Sequence, residues 1–529
     1  MNRSGPRPRS RLLRESAVGS VGAMVALGAG LALDLTLALL LGAGSDTDAL
    51  FVALRIPLGV AVFFPPTAVQ VLVPAISGWL EERDTRKANA HTSAMLVSTL
   101  ALTGLLAVAG IVCAAPLVRV IAPGLDPAGH DLAAGLARVA FLMIPPVAAS
   151  QVLRAYRHAH RRHGLATALQ SVLGVTIVAI LLVGQASVQV AVWAFVVGAS
   201  LQFLMAWILA RASGFSYVRG KVLTDETRAL GRRSLRPLTA SGIQLTTRLA
   251  EQMVASFLPP GSITILTYAN RLVSAIGGTL FFGPVVTAFI GPMSRLYARG
   301  DRIAVRALLR DGLRIVLLIS ASLTTLVAVA GSPFVTGLFA LGDFTAAQAR
   351  VLGIMVAVYS LSLPTAALQR MLLGATFARL DTSPYLRNTV YGAVANLVLL
   401  GGLAAGWQWP LELLVVPIAY SLAQIVNVVH AAAVVRRQLG AVLPGLREAL
   451  APLVVIGAAA AVMVTVRLWL FPGLVEPPIS LMAAGLVTAL AGALILGTGT
   501  MRVAAVDGRL MVRPGRRTAV AAATDPIDR

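Results

Sequence analysis

Residues 154–211 read RAYRHAHRRHGLATALQSVLGVTIVAILLVGQASVQVAVWAFVVGASLQFLMAWILAR. Two apolar runs, centred near Val175 and Val197, meet at the short connector Gln185 to Ser187, which carries no basic residue. Their outer flanks, Arg154 to Arg162 and Arg211 to Arg236, are loaded with arginine. Each run has the roughly 20 residues a helix needs to cross a bilayer. Strands of a β-barrel would alternate apolar and polar residues over about ten positions, and these runs do not. Two membrane-crossing helices with basic flanks on one side and a neutral turn on the other is the positive-inside pattern.

The same pattern extends along the whole chain. Arg-rich connectors recur at Arg3 to Arg14, Arg83/Arg86/Lys87, Arg295 to Arg314, Arg436/Arg437/Arg447 and Arg502 to Arg517. Arg-poor connectors alternate with them at Gly42 to Thr47, Pro259 to Ser262, Trp407 to Pro410 and Phe471 to Pro478. The alternation predicts both termini in the cytoplasm. About fourteen apolar stretches are long enough to span, centred near Gly30, Val62, Leu105, Pro145, Val175, Val197, Leu249, Leu280, Leu323, Ile354, Val394, Ala423, Val455 and Leu486. The fold class is therefore an all-α polytopic membrane protein. Composition agrees: of 529 residues, 57% are hydrophobic and 12% charged, with mean hydropathy +0.82, more apolar surface than a water-soluble core can hide. The net charge of +22 sits in connectors, where topology demands it. It argues for anionic lipid headgroups as partners and against nucleic acid. The single cysteine, Cys113, excludes an internal disulfide and a CxxC metal site, and its apolar setting predicts a buried, inert thiol.

An internal repeat appears at a spacing of about 218 residues, from Phe63 to Phe281. Phe63-Phe64-Pro65-Pro66 with Pro74-Ala75-Ile76-Ser77 recurs as Phe281-Phe282-Gly283-Pro284 with Pro292-Met293-Ser294-Arg295. Pro146-Val147-Ala148-Ala149-Ser150-Gln151 recurs as Pro364-Thr365-Ala366-Ala367-Leu368-Gln369. Each copy holds about six spans, an even number, so the halves are parallel repeats that can rock about a central cavity. The predicted organisation is a basic N-terminus over 1–14, an N-lobe over 15–212, a cytoplasmic linker over 213–237 and a C-lobe over 238–440. Two extra helices over 441–499 and a cytoplasmic tail over 500–529 complete it. Proline inside the spans predicts kinks.

Ionisable residues inside spans cost roughly 2.5–3.5 kcal/mol each on insertion scales, so they should face a cavity or a partner. Asp34, Arg55, Arg248, Glu251 and Arg271 meet that description, with Asp48 near the outer surface. Arg55 and Arg271 occupy related places in the repeat, and paired guanidinium groups can grip a phosphate or pyrophosphate bidentately. Arg55 can equally tie helices together through Asp34 or Asp48, and Arg248 with Glu251 suits a local ion pair. Gln151, Gln170, Gln369, Asn396, Gln424 and Asn427 suit interhelical hydrogen bonds, and His430 a structural role. The spacing of His158, His160 and His163 makes no metal site. No P-loop, GxSxG elbow, HExxH or Asp-rich motif is present. No catalytic residue, cofactor or metal is expected, and transport would draw on an ion gradient, the membrane potential or substrate turnover.

Three local patterns carry a family resemblance. Gly42-Ala43-Gly44-Ser45-Asp46-Thr47-Asp48-Ala49-Leu50-Phe51-Val52-Ala53-Leu54-Arg55-Ile56-Pro57 is the first. Ala255-Ser256-Phe257-Leu258-Pro259-Pro260-Gly261-Ser262-Ile263 with Tyr268-Ala269-Asn270-Arg271-Leu272 is the second. Val73-Pro74 and Pro292-Met293-Ser294 close spans two and eight. With the two six-helix lobes and two further helices, the chain resembles the peptidoglycan lipid II flippase family (MurJ/MviN) of the MOP transporter superfamily. The resemblance implies a membrane transporter, not an enzyme, in the bacterial cytoplasmic membrane. Its substrate would be an undecaprenyl-pyrophosphate-linked sugar-peptide, moved from inner to outer leaflet by alternating access during cell-wall synthesis. It also implies cell-wall synthesis proteins as further partners. Asp34, Asp48, Arg55 and Arg271 match charged family positions, and Glu251 falls where many members have Asp. Two family arginines of the first span are replaced here by Leu27 and Leu33, and the Arg pair of the second span is missing from Gly59 to Ala68. Alternatives are a flippase for another polyprenyl-linked oligosaccharide, a non-transporting scaffold in cell-wall assembly, or a cation-coupled exporter of the same superfamily.

Overall fold

The structure, a computed structural model, describes residues 8–440 and 442, apart from 68–70, 83, 161–162, 221–223, 278–282, 380, 382 and 407–411. The expected extra helices over 441–499 and tail over 500–529 lie outside the described residues. The first half contains α1 (Pro8–Leu41), α2 (Ser45–Thr67), α3 (Val73–Glu81), α4 (Thr85–Val112), α5 (Ala114–Ile121), α6 (Pro127–Ala140), α7 (Ile144–Ala159), α8 (His163–Val183) and α9 (Val188–Arg211). The second half contains α10 (Asp225–Ala255), α11 (Ser262–Ser274), α12 (Gly283–Ala298), α13 (Arg302–Leu326), α14 (Ser332–Phe339), α15 (Ala346–Ser360), α16 (Leu363–Phe377), α17 (Ser383–Gly406) and α18 (Val415–Leu439). No strand occurs among the described residues. Among the described residues the helices group into twelve runs, six per half: α4–α5, α6–α7, α13–α14 and α15–α16 are each one run with a local break, and α2 with α3 and α11 with α12 are counted together as sequence neighbours. Eight helical stretches among the described residues are long and apolar enough to cross a membrane.

Local chemistry places the ends and the breaks. Asp84 caps α4 by accepting from Lys87 N at 2.8 Å, and Asp301, 217 residues on, caps α13 by accepting from Ala304 N at 2.9 Å. Asp126 caps α6, Ser187 caps α9, and Thr345 with Gln348 forms a reciprocal capping box on α15. A 3₁₀ turn, Phe141–Met143, interrupts the fourth run just before Pro145 and Pro146. Its counterpart breaks at residues 361–362, just before Pro364. The ninth run passes through a π-helical turn, Val327–Gly331, before Pro333. Proline has no N–H to donate and clashes with the preceding turn, so the ladder yields at these points.

Packing repeats the sequence repeat. α1 packs on α8 as α10 packs on α17, and α2 on α6 as α11 on α15. Likewise α4 lies on α7 as α13 on α16, and α7 on α9 as α16 on α18. The basic segment between the halves is irregular only at its start. Val218 N donates to Ser93 Oγ at 3.0 Å, which pins it to the first half, and from Asp225 it continues unbroken into α10. The outer faces are apolar: Leu102, Leu105, Val108 and Val112 stand exposed on α4, and Val394, Val398 and Val429 on α17 and α18. A contiguous face of this kind is stable only against lipid or another apolar surface. Cys113 is exposed beside this face at the α4–α5 break, not buried as its apolar surroundings predicted.

The halves lock at the end carrying the Arg-poor connectors. Asp343 N donates to Leu39 O at 3.1 Å, and Gly124 N donates to Ser256 Oγ at 3.1 Å. These bonds are repeat equivalents, each joining the end of a first span in one half to the connector after the third span in the other. Their neighbours are glycines by necessity. A Cβ on Gly342 would lie 2.2 Å from Leu39 O, and one on Gly124 would lie 2.4 Å from Ser256 O. Gly342 also has φ +65°, where a side chain is strained. Gly342→Ala is therefore expected to destabilise the protein by about 1–3 kcal/mol, an overpacking cost, seen as a lower melting temperature in detergent. Gly28→Ala is the control, because a Cβ there meets nothing within 4 Å. Equal melting temperatures for the two variants would refute the close contact.

Candidate functional site

A cavity of about 820 Å³ lies between the halves, walled by α1, α2, α8 and α9 on one side and by α11, α14 and α15 on the other. Its wall is mostly apolar. Leu27 and Leu33 line it, so these two first-span residues face the space rather than the lipid. Asp34 and Arg271 stand on the same wall and are joined by an ion pair, Nη1 to Oδ1, across the two halves. Asp34 is buried, with 6% of its surface exposed. The Arg271 side chain keeps 29% of its surface exposed, and its guanidinium lies 5.5 Å from the centre of the Phe51 ring. The contact with the electron-rich ring face adds to the attraction of the carboxylate. Arg271 thus has an anchor on one side and an open face on the other, as an anion-binding group requires.

The other anticipated residues divide by role. Asp48 does not face the cavity. Its Oδ2 accepts from Gly261 N at 2.7 Å, and its Oδ1 accepts from Thr264 N at 2.8 Å and Thr264 Oγ1 at 2.6 Å. Gly261, the N-cap of α11, has no side chain to bond the first turn, so Asp48 of one half supplies the cap of a helix in the other. A carboxylate there also opposes the positive end of the helix dipole. Arg55 pairs with neither Asp34 nor Asp48. Its Nε donates to Gln252 Oε1, with Thr267 Oγ1 at 3.5 Å from Nη2. The structure therefore does not bring Arg55 and Arg271 together on the central wall, because Arg55 is occupied at the interface between α2 and α10.

Arg248 and Glu251 form the anticipated local pair at 3.2 Å. Asn396 Nδ2 on α17 donates to Glu251 Oε1 at 3.0 Å, and the Arg248 guanidinium lies 5.3 Å from the Tyr420 ring centre. Arg248 and Asn396 line a second cavity of about 390 Å³ inside the second half. Sequence reasoning missed two buried cations. Arg154 and Arg157 fall in a stretch taken for a loop, yet both lie within α7 and are buried. Arg157 Nη1 donates to Leu209 O at 2.7 Å. Arg154 Nη1 donates to Gln151 Oε1 at 2.7 Å. With the Gln170 amide oriented to satisfy both groups, its oxygen also accepts from Arg154 at 3.0 and 3.2 Å. The signal was in the repeat. Gln151 and Gln170 correspond, 218 residues on, to Gln369 and Asn388. Gln369 donates to Asn388, which in turn bonds Asn427 O at 2.7 Å and His430 Nδ1 at 3.1 Å. Each half thus carries a polar knot between its fourth and fifth runs, and His430 is part of the second one.

The comparisons agree with this geometry. A family model described as lipid II flippase MurJ matches residues 37–483, and the chain belongs to that family. The lipid II flippase MurJ of Burkholderia cenocepacia is 25% identical over 378 residues, covering 66% of this chain and 70% of that one. A probable lipid II flippase MurJ of Vibrio cholerae is 24% identical over 406 residues, covering 74% and 77%. Among solved structures, a lipid II flippase MurJ in an inward closed conformation superposes with TM-score 0.76 at 16% identity, covering 95% of this chain and all of that one. An inward-facing multidrug resistance MATE family transporter of the MOP superfamily gives TM-score 0.64 at 15% identity, covering 79% and 98%. These two likenesses bear on the fold. The chain is a multi-pass membrane protein of a bacterial transporter family.

If Asp34 and Arg271 are coupled across the halves, Asp34→Asn and Arg271→Gln should each lower thermal stability, and the double variant should lose less than the sum. The expected coupling is about 0.5–3 kcal/mol, as for residues in direct contact. It is read from a double-mutant cycle of melting curves in detergent. Strict additivity would dissolve the pair.

Proposed function

We propose that this member of the lipid II flippase family carries an undecaprenyl-pyrophosphate-linked sugar-peptide of the lipid II type from the inner to the outer leaflet by alternating access. One observation carries the reading. Among the described residues, the inter-half cavity presents one anchored, partly exposed guanidinium, Arg271, on a mostly apolar wall. Such a wall suits a ligand that is lipid at one end and pyrophosphate at the point of attachment. The N-lobe over 15–212 and the C-lobe over 238–440 are the rocking units, joined by the 213–237 segment. With both termini in the cytoplasm, the latched end faces outward, so this conformation is closed to the outside. Anionic lipid headgroups meet the basic connectors on the cytoplasmic face, and cell-wall synthesis proteins receive the product. A second reading, transport of a different polyprenyl-linked oligosaccharide, is favoured by the apolar Leu27 and Leu33 on the cavity wall.

Two experiments test this. In a Cys113→Ser background, single cysteines at Ser187 should label from outside intact cells, and cysteines at Arg233 and Arg302 should not. External labelling at Arg302 would invert the orientation. Expressed in cells depleted of their own lipid II flippase, the native chain should restore growth. Arg271→Ala should abolish rescue at unchanged abundance, and Arg271→Lys should restore it only in part, since an ammonium lacks the bidentate fork. A well-inserted native chain that fails to rescue would shift the assignment to the second reading.

A further inference from the structure

Apart from Asp34, the first half offers the central cavity one polar side chain among the described lining residues, Gln170 of α8. Gln170 is exposed in this space. Behind it lies Arg154 of α7, buried with 7% of its surface exposed. Both ends of that guanidinium reach the Gln170 amide oxygen, Nη1 at 3.0 Å and Nη2 at 3.2 Å, and Nη1 also donates to Gln151 Oε1 at 2.7 Å. Reversing the amide would set its N–H groups against those of the guanidinium, so the orientation is fixed. The oxygen is turned to the buried charge, and Nε2 occupies the opposite edge of the planar group. The repeat shows that this arrangement is particular to the first half. The positions 218 residues on are Leu372 for Arg154 and Asn388 for Gln170. Leu372 is core, and Asn388 is fully buried, with its amide spent on Gln369, Asn427 O and His430. Neutral groups do the linking there, so linking helices does not by itself require Arg154. A buried guanidinium carries a desolvation penalty, and here it stands directly behind an amide that looks into the cavity.

Helix packing gives the height of Gln170 in the cleft. α1 and α8 pack on each other, and both leave an Arg-rich connector, so they run the same way. A Cβ on Gly174 would lie 2.9 Å from Ala29 O, which sets the register. Gln170 precedes Gly174 by one helical turn, and Asp34 follows Ala29 by more than one, so the two lie roughly 13 Å apart along the helix axes. Arg271, paired with Asp34, marks where a pyrophosphate is held. Gln170 stands nearer the basic connectors, past that group and at the level of the sugar attached to it. The chemistry of its exposed edge is that of a donor. Its own acceptor is occupied and a positive charge lies behind it, so a metal ion or an ammonium is not held. A hydroxyl or amide oxygen accepts its N–H, and Arg154 polarises the amide and strengthens that donation. We infer that Gln170 is a headgroup-binding residue of the first half, donating from Nε2 to an oxygen of the sugar next to the pyrophosphate, and that Arg154 is its positioning residue, acting through the amide it holds. This rests on the flippase reading above. It divides the work between the halves: Arg271 holds the charged group, and a neutral donor opposite reads the sugar.

The test uses the full chain in lipid nanodiscs with two probes, lipid II and undecaprenyl pyrophosphate, and reads binding by native mass spectrometry. Gln170→Leu should weaken lipid II about three- to ten-fold, the effect of losing one hydrogen bond. It should leave undecaprenyl pyrophosphate, which has no sugar, within about two-fold. Gln170→Glu keeps acceptors for Arg154, and with them the fold, yet has no N–H to donate, so it should lose lipid II at least as strongly. Arg154→Gln should shift the ratio of the two affinities in the same direction, and adding Gln170→Leu to it should shift the ratio no further, since Arg154 acts through Gln170. Arg154→Lys, which keeps one charged donor to the amide, should retain most of the native ratio. A merely structural Arg154 would lower stability, or both affinities alike, and leave the ratio unmoved. Full lipid II binding by a folded Gln170→Glu or Gln170→Leu protein overturns the contact alone. Equal losses for the two probes overturn it as well, by making Gln170 a phosphate contact. A native chain that binds neither probe overturns the flippase reading itself, and the contact with it.

Discussion

A charge placed in a bilayer-spanning helix must find an opposite charge, a set of hydrogen-bond partners or a cavity. That constraint arranges most of this molecule. Asp48 meets it by capping a helix of the opposite half, and Arg55 by bonding Gln252 at the interface between halves. Glu251 is held between Arg248 and Asn396 inside the second half, and Arg154 lies among the glutamines of α7 and α8. Among the described residues, Asp34 and Arg271 answer it on the wall of the central cavity. A charged residue in a span is therefore a reliable sign of an interior face, but not by itself of a binding role. Its partners decide between the two.

The repeat supplies the second constraint. Two halves with the same helix pairing meet through equivalent elements, so each stabilising device tends to occur twice. The caps at Asp84 and Asp301, the latches at Gly124 and Gly342, and the polar knots around Gln151 and Gln369 are examples. Hydrogen bonds between the halves gather toward one end, and the large cavity lies between the same helices. The halves are joined there by the close glycine contacts at Gly124 and Gly342 and by the Asp48 cap on α11, so opening that end would have to break these bonds. Proline-linked breaks recur at equivalent places in both halves and give each run a point at which to bend.

The symmetry is broken where chemistry is needed. The first half presents Leu27 and Leu33 to the central cavity, and the second presents Arg271. The second half holds a polar cavity around Arg248 and Asn396. Among the described residues, the positive charge on the central wall thus lies on one side of the cleft.

The membrane class, the all-helical fold and the 218-residue repeat were legible in the sequence, and of the fourteen expected spans eight described helical stretches are long and apolar enough to cross. They follow from properties summed over many residues: hydropathy over twenty positions, arginine bias over a loop, and proline spacing across a half. The local pair of Arg248 and Glu251 was legible too, since residues three apart share a helix face. Arg154 and Arg157 were misread as loop residues because a basic cluster at a helix end looks the same whether the last turns are buried or wet. Which charge met which partner was decided only by the tertiary structure. Asp34 and Arg271 are 237 residues apart in sequence, and Asp48 lies 213 from the glycine whose N–H it binds. Such pairings depend on the relative rotation and height of helices from different halves. Hydropathy and spacing leave that rotation undetermined, and packing settles it.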